Sequence, residues 1–457
     1  MSLQLHDLIL SDIPSNHFLA QPRPDAAFGP PTGTVDTTTL AAHDFDVDTR
    51  TGFMPPQPPL TRLPPAWEQW EELLDAATTD KLQLGEKPDL SEAERSRSAE
   101  WRARVRQLPI LPTQAFQSSE LLLRRAHHVL AWIMHFYIRT RPDTPGDIRI
   151  PPPVTVPLLQ VCNHLQLPPV LTYSDDVLYN WALRRPGPLA SVPSLDNLRC
   201  LTLFTGTRDE EEFYLASARI ELRGVEALGL MRATMDEAFV GDDIAIHRIT
   251  SYLHTLAGVI ADLDKLLLAV RDGCDPQIFY NEIRPWFRGA DSDAAQGHRW
   301  VFEGIELDPE LKQPLELSGP SAGQSSLIHA LDVFLGVDHE PSAPPKPTTA
   351  FLERMKSYMP RHHRAFLGHL QGNPRPLRAL VETAGDAPLT AAYNAAVSAL
   401  KVFRDGHVRI VAVYIVGPAR RTQDGNQEAM GTGGTSAIRF VKSVRDQTAS
   451  AIISQQI

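Results

Sequence analysis

Four places in the 457-residue sequence set a polar residue or loop where its chemistry stands out from its surroundings. His407 falls on an apolar stripe made by Leu400, Phe403, Val411 and Tyr414, one turn after Arg404. A neutral imidazole there can ligate a metal or can be a satisfied core histidine, and with 16 histidines in the chain spacing alone does not select it. Asp332 lies among Leu331, Val333, Phe334 and Leu335, where an unpaired carboxylate is costly, so a cationic partner is expected. Arg284 is similarly embedded in 278-IFYNEIRPWF-287, and Pro285 biases it out of helical geometry. A guanidinium at such a helix break can grip a carboxylate through two parallel hydrogen bonds or close an internal salt bridge. The fourth place, 431-GTGGT-435, can wrap an anion with backbone amides or act as a flexible linker; it lacks the lysine and helix pattern of a P-loop. Neither the Cys-x-x-Cys-His of covalent haem nor the His-Glu-x-x-His of zinc enzymes occurs.

Helices must carry these residues. Pro65 suits a first helical turn, and Trp67, Trp70, Leu74 and Ala77 follow at three-to-four spacing. A second helix is predicted over residues 120–137. Ile246, Ile249, Leu253, Leu256, Ile260, Leu263, Leu267 and Val270 repeat with helical period over about seven turns, which predicts a long buried helix. Similar stripes run over 213–231, 327–335 and 400–414, while alternating strand-like runs are scarce. The expected fold is all-α: a Pro-containing arm over 1–40, a small, mostly helical N-terminal domain over 41–200, and a large helical domain over 201–457. The stretch 417–435 is expected to be a mobile loop before a final helix.

Composition narrows the partners. Hydrophobic residues at 42% and charged residues at 22% describe a globular chain, and a net charge of −11 argues against a nucleic-acid partner, whose phosphates require a basic surface. The longest apolar run, 410–416, is far too short to cross a membrane, and the first ten residues do not read as a signal peptide. Cys162, Cys200 and Cys274 form neither a disulfide framework nor a zinc pair, so a reducing, cytoplasmic setting is expected.

Six blocks, in order, carry a resemblance: 167-LPPVLTYSDDVLYNW-181, 213-FYLASARIE-221, 274-CDPQIFYNEIRPWFRG-289, 319-GPSAGQSSLIHALDVFLGV-337, 357-SYMPRHHRAFL-367 and 431-GTGGTSAIRFVKSVR-445. Together they make the chain, from about residue 50 to 453, similar to the indoleamine 2,3-dioxygenases, haem enzymes that open the indole ring of tryptophan. The resemblance implies one haem b between four long helices of the large domain, with His407 as axial ligand and Arg404 paired with Asp332 near a propionate. It implies Phe213 and Ser217 beside the open iron position, Tyr173 and Val177 lining the indole pocket, and Phe279 and Arg284 holding the substrate's side and carboxylate. Ser321 and Ala322 match a loop near a propionate, and Thr432 a mobile-loop residue closing over the amino-acid group; Ser217 and Arg284 are the implied catalytic residues.

The implied reaction takes L-tryptophan and O2 to N-formyl-L-kynurenine in a monomeric enzyme, with an unidentified reductant keeping the haem ferrous. Two alternatives stay open: an oxygenase for another indole in a specialised pathway, and a haem-binding signalling protein with little turnover. Two departures bear on the choice. Asp176 is acidic where some relatives have a small neutral residue, and Pro320 replaces a glycine, removing an amide donor.

Overall fold

The computed structural model describes residues 45–187, 193–315, 317–337, 347–422 and 437–454. The N-terminal arm, the 431–435 glycine loop and Thr432 therefore lie outside the described residues. Within them the fold is helical, with four strands of three residues each. The helices of eight residues or more begin with α1 (Glu68–Thr79), α2 (Glu92–Gln107), α3 (Glu120–Arg139) and α4 (Pro152–Leu165). They continue with α5 (Arg208–Arg223), α6 (Val225–Val240), α7 (Asp243–Leu268), α8 (Ser326–Phe334) and α9 (Pro347–Lys356). The last are α10 (Arg361–Gln371), α11 (Leu377–Ala384), α12 (Ala387–Val411) and α13 (Ala437–Ala449). Strand β1 (Ile148–Ile150) pairs in parallel with β4 (Trp300–Phe302), and β2 (Trp181–Leu183) pairs antiparallel with β3 (Leu198–Cys200). No helix among the described residues is long and apolar enough to cross a membrane.

Side-chain caps start the helices that matter most. Thr207 accepts the Glu210 amide ahead of α5, Asp242 that of Ala245 ahead of α7, and Asp386 that of Leu389 ahead of α12, each satisfying an otherwise unpaired N–H. The long stripe predicted around residue 256 is the buried face of α7, where Ile249, Leu253, Leu256, Ile260 and Leu263 are inaccessible to solvent. Helix α12 packs along it. Gly406 permits the close approach, because a Cβ there would stand 2.1 Å from Asp264 Oδ1. Toward the N-terminus, α3 is buried along most of its length against α1 and α4.

Three local expectations need correction. The 213–231 stripe is two helices, α5 and α6, meeting at Gly224, where a Cβ would lie 2.3 Å from Leu327 of α8; tertiary packing takes the space a continuous side-chain row would fill. Residues 417–422, expected in a loop, form a helical turn, Gly417–Thr422. Arg284 is helical, at φ −54° and ψ −36°, despite preceding Pro285. There the helix changes width instead of ending, from a π turn over Phe279–Ile283 to a 3-10 turn over Arg284–Phe287.

Candidate active site

Among the described residues, three segments are wound with the wide i to i+5 pattern: Ser174–Leu178, Phe279–Ile283 and Ala412–Val416. Such turns splay side chains off the regular helical rows and recur at functional sites. All three feed one cavity of about 210 Å3. The first supplies Asp176 and Val177, with Tyr173 just before it; the second supplies Phe279, with Arg284 just after it; and the third supplies Tyr414 and Ile415. Phe213 and Ser217, four residues apart on α5, complete a wall, facing His407 and Ile410 of α12. Pro320, Ser321 and Ala322 reach the same space. Their loop is held against the Arg284 turn by backbone contact so close that a Cβ on Gly319 would lie 1.9 Å from the Phe287 carbonyl oxygen. A second cavity, about 110 Å3, shares Tyr173, Ser217, Ala322 and His407 and adds Asp332 and Arg404. His407 thus borders both spaces. Every candidate site residue proposed from the sequence lines one or other cavity except Thr432, which lies outside the described residues.

Aromatic rings give the larger cavity its shape. Phe213 and Phe279 stand 4.4 Å apart between centroids, Phe287 lies 6.0 Å from Phe213, and Tyr414 meets Phe279 edge-on at 5.6 Å. Tyr414 is locked by donating to the Cys274 carbonyl at 2.6 Å. Arg284 stacks over Tyr280 at 5.3 Å, and burial works against its charged form.

Burial, followed by the nearby Arg404, pulls the His407 pKa down to about 4, so the imidazole is neutral at pH 7. Neither ring nitrogen has a hydrogen-bond partner among the described residues. The cation expected for Asp332 is Arg404, whose Nη2 donates to both carboxylate oxygens at 2.6 and 2.5 Å while Nη1 bonds Thr448 Oγ1. Asp176 is buried with Oδ1 unpartnered among the described residues.

One element escaped the sequence reading. Glu221 lies one turn beyond Ser217 on α5, where its Oε1 accepts the Tyr173 phenol at 2.9 Å and the Ser325 hydroxyl at 2.7 Å. Its Oε2 has no partner among the described residues. Burial raises its pKa to about 7, against the opposing pull of the Ser325 and Tyr173 hydrogen bonds. The i+4 step from Ser217 was the available signal. Phe287, Ile410 and Phe440 also line the cavity without having been singled out. The segment 319-GPSAG-323 carries the Gly-x-Ser-x-Gly spacing of an acyl-transfer nucleophile, but Ser321 is extended ahead of a 3-10 turn. Its Oγ accepts the Gly323 amide at 3.2 Å, and no histidine bonds it among the described residues.

The family model for indoleamine 2,3-dioxygenase matches residues 41–451. Mouse indoleamine 2,3-dioxygenase 1 is 32% identical, over 90% of this chain and 95% of its own. The chain belongs to the indoleamine 2,3-dioxygenase family. The Saccharomyces cerevisiae indoleamine 2,3-dioxygenase is 33% identical over 71% of this chain and 77% of its own length. A Fusarium equiseti protein named 6-hydroxytryptophan 2,3-dioxygenase is 28% identical over 91% and 99%. Members of the indoleamine 2,3-dioxygenase family are haem-dependent dioxygenases that act on indoles, and this chain is an oxidoreductase of that kind.

The donor set fits a haem. Bare metal ions are held by three or more protein ligands, and no such cluster of His, Cys, Asp or Glu occurs among the described residues. A porphyrin brings four nitrogen donors of its own and needs only one imidazole, neutral and uncommitted, at the edge of a cavity. His407 has those properties.

Proposed function

We propose that this dioxygenase opens the indole ring of L-tryptophan with O2 to give N-formyl-L-kynurenine, using one haem b held by His407. The reading rests on a neutral, uncommitted imidazole facing an aromatic-walled cavity that also contains a buried arginine. Haem, when bound, supplies the iron at which O2 is activated, and both oxygen atoms end in the product. The chain supplies the rest. Arg284 takes the amino acid's carboxylate in a charge-assisted pair, and Tyr173, Val177, Phe213 and Phe279 orient the indole and exclude water. Ser217 offers a small hydroxyl at the reacting edge, leaving room for O2. Ser321 and Ala322 lie on the loop assigned to a propionate, and Thr432 is assigned to closure over the amino-acid group. Asp332 and Arg404 fix α8 to α12 beneath His407 and act as positioning residues. No general base is required, the chemistry being the cofactor's. The protein works as a monomer with a separate reductant.

A second reading, an oxygenase for another indole, is favoured by the unpartnered Asp176 carboxyl in the cavity and by the 6-hydroxytryptophan named for the Fusarium relative. One experiment tests both. The reduced holoenzyme is given air and L-tryptophan, its product is identified by mass spectrometry, and haem content is read by absorbance for native protein and His407→Ala. N-formyl-L-kynurenine from the native enzyme and haem loss in the variant are expected. Full haem content and turnover in His407→Ala would remove the ligand assignment, and no product from tryptophan would remove the substrate.

A further inference from the structure

We propose that Asp176 is a specificity-determining residue whose carboxyl forms a subsite for a hydroxyl group on the six-membered ring of the indole. This rests on the reading of the cavity as an indole amino-acid site.

Asp175 and Asp176 are adjacent on one π turn and equally buried, yet they are treated in opposite ways. Asp175 is fully engaged: it accepts His127 Nδ1 at 2.7 Å, the Thr172 amide at 2.9 Å and the Thr172 hydroxyl at 2.7 Å. Asp176 is 4% exposed, lines the substrate cavity, and has no hydrogen-bond partner for Oδ1 among the described residues. A buried carboxyl without a partner costs stability, and nothing else in the described fold uses this one. The group positioned to complete it is the occupant of the cavity.

The chemistry of that occupant follows from the charges around Asp176. Burial first, then the neighbouring Asp175 and Glu210 carboxyls, push its pKa well above the usual carboxylate range. The unpartnered Oδ1 is an acceptor, and a hydroxyl can donate to it whether the carboxyl is ionised or neutral, while also accepting from the protonated form. Position follows from the other end of the site. Asp176 enters the cavity from the Ser174–Leu178 turn, which packs on α5, and Arg284 from the Arg284–Phe287 turn, which packs on α3, so the two polar groups arrive on different elements. The Phe213 and Phe279 rings line the same space. An amino acid anchored through its carboxylate at Arg284 extends its ring along the aromatic wall and presents the far edge, the six-membered ring, to Asp176.

The test is calorimetric titration of the oxidised holoenzyme with L-tryptophan and with its four isomers hydroxylated at ring carbons 4, 5, 6 and 7. At least one isomer is expected to bind ~10- to 100-fold more tightly than L-tryptophan. That preference should fall to near one in Asp176→Ala and be partly kept in Asp176→Asn, whose amide still donates and accepts. Thermal unfolding of Asp176→Ala should occur no lower than that of the native protein, since an unpartnered group is being removed. No isomer tighter than tryptophan, or a preference intact in Asp176→Ala, overturns the subsite while leaving the indole reading in place. A loss shared equally by tryptophan and every isomer in Asp176→Ala shows a structural role and overturns it too. Failure of all five ligands to bind the native enzyme overturns the indole reading and the subsite with it.

Discussion

The site has two walls that bury acid groups to the same depth and handle them differently. On the α8–α12 side, Asp332 is 4% exposed and both its oxygens are taken by Arg404. On the α5 side, with the turn that follows Tyr173, Asp176 at 4% and Glu221 at 1% each keep an oxygen with no partner among the described residues. Burial is the same, so pairing makes the difference. A paired buried charge is fixed in place and suits the helix that carries His407; an acid oxygen left without a partner at the cavity, as in Asp176, is open to bond whatever enters. On the proposed reading, one wall positions and the other selects.

The largest effect that distinguishes the walls should come from breaking the matched pair. Asp332→Ala leaves the Arg404 guanidinium buried with Thr448 as its remaining named partner, a loss of about 3–5 kcal/mol. Urea unfolding of native and variant protein measures it directly. A loss below about 1 kcal/mol would mean that the α8–α12 wall does not depend on the pair, and the contrast with the α5 side would disappear.

How far these walls were legible in the sequence follows from how local their causes are. His407 and Arg404 stand three residues apart on one helix, and Phe213 and Ser217 four apart on another, so helical periodicity places each pair on a common face. The demand that Asp332 have a cation could be argued from its apolar neighbours, although Arg404, 72 residues away, could not be identified from them alone. The i+4 step from Ser217 pointed to Glu221 itself, but its partners were out of reach, because Ser325 comes to it from 104 residues away and Tyr173 from 48. Gly224 breaks the 213–231 stripe on account of Leu327, which is distant in sequence. The π turns were equally hidden: each adds one residue to a helical turn, and Pro285, read as a helix breaker, proved compatible with such a change of winding.

A pH experiment sharpens the comparison on the selecting wall. Glu221 has a folded pKa of about 7 against an ordinary 4.5, so between those values the native state keeps a proton that the unfolded chain releases. Its contribution is greatest below pH 4.5 and is lost as the pH rises through about 7, amounting to about 3 kcal/mol. Glu221→Gln abolishes the titration. From pH 5 to 8 the native protein should therefore lose stability relative to the variant, as read by urea unfolding at each pH. Parallel curves would show that Glu221 is already ionised at pH 5 and that both walls are charged.

The smallest effect is also the most selective. Tyr173 donates to Glu221 Oε1 at 2.9 Å while Ser325 donates to the same oxygen at 2.7 Å, so Tyr173→Phe removes one of two donors and leaves the carboxyl in place. Burial, reinforced by Glu221, keeps the phenol well above its ordinary pKa, so it remains a donor at every pH of interest. Below pH 6 the acceptor is a neutral acid, and losing the bond should cost about 1 kcal/mol. Above pH 8 the acceptor is a carboxylate, and a hydrogen bond to a charged group is about twice as strong, so the cost should rise to about 2 kcal/mol. The same imbalance moves the Glu221 pKa further up in the variant, because the lost bond favoured the ionised form. Infrared difference spectra, which resolve the carbonyl stretch of a protonated carboxyl, should show it persisting to higher pH in Tyr173→Phe than in native protein. An equal cost at both ends of the pH range, with the infrared transition unmoved, would mean that the phenol does not distinguish the two forms of Glu221. The neutrality of the selecting wall would then rest on burial alone.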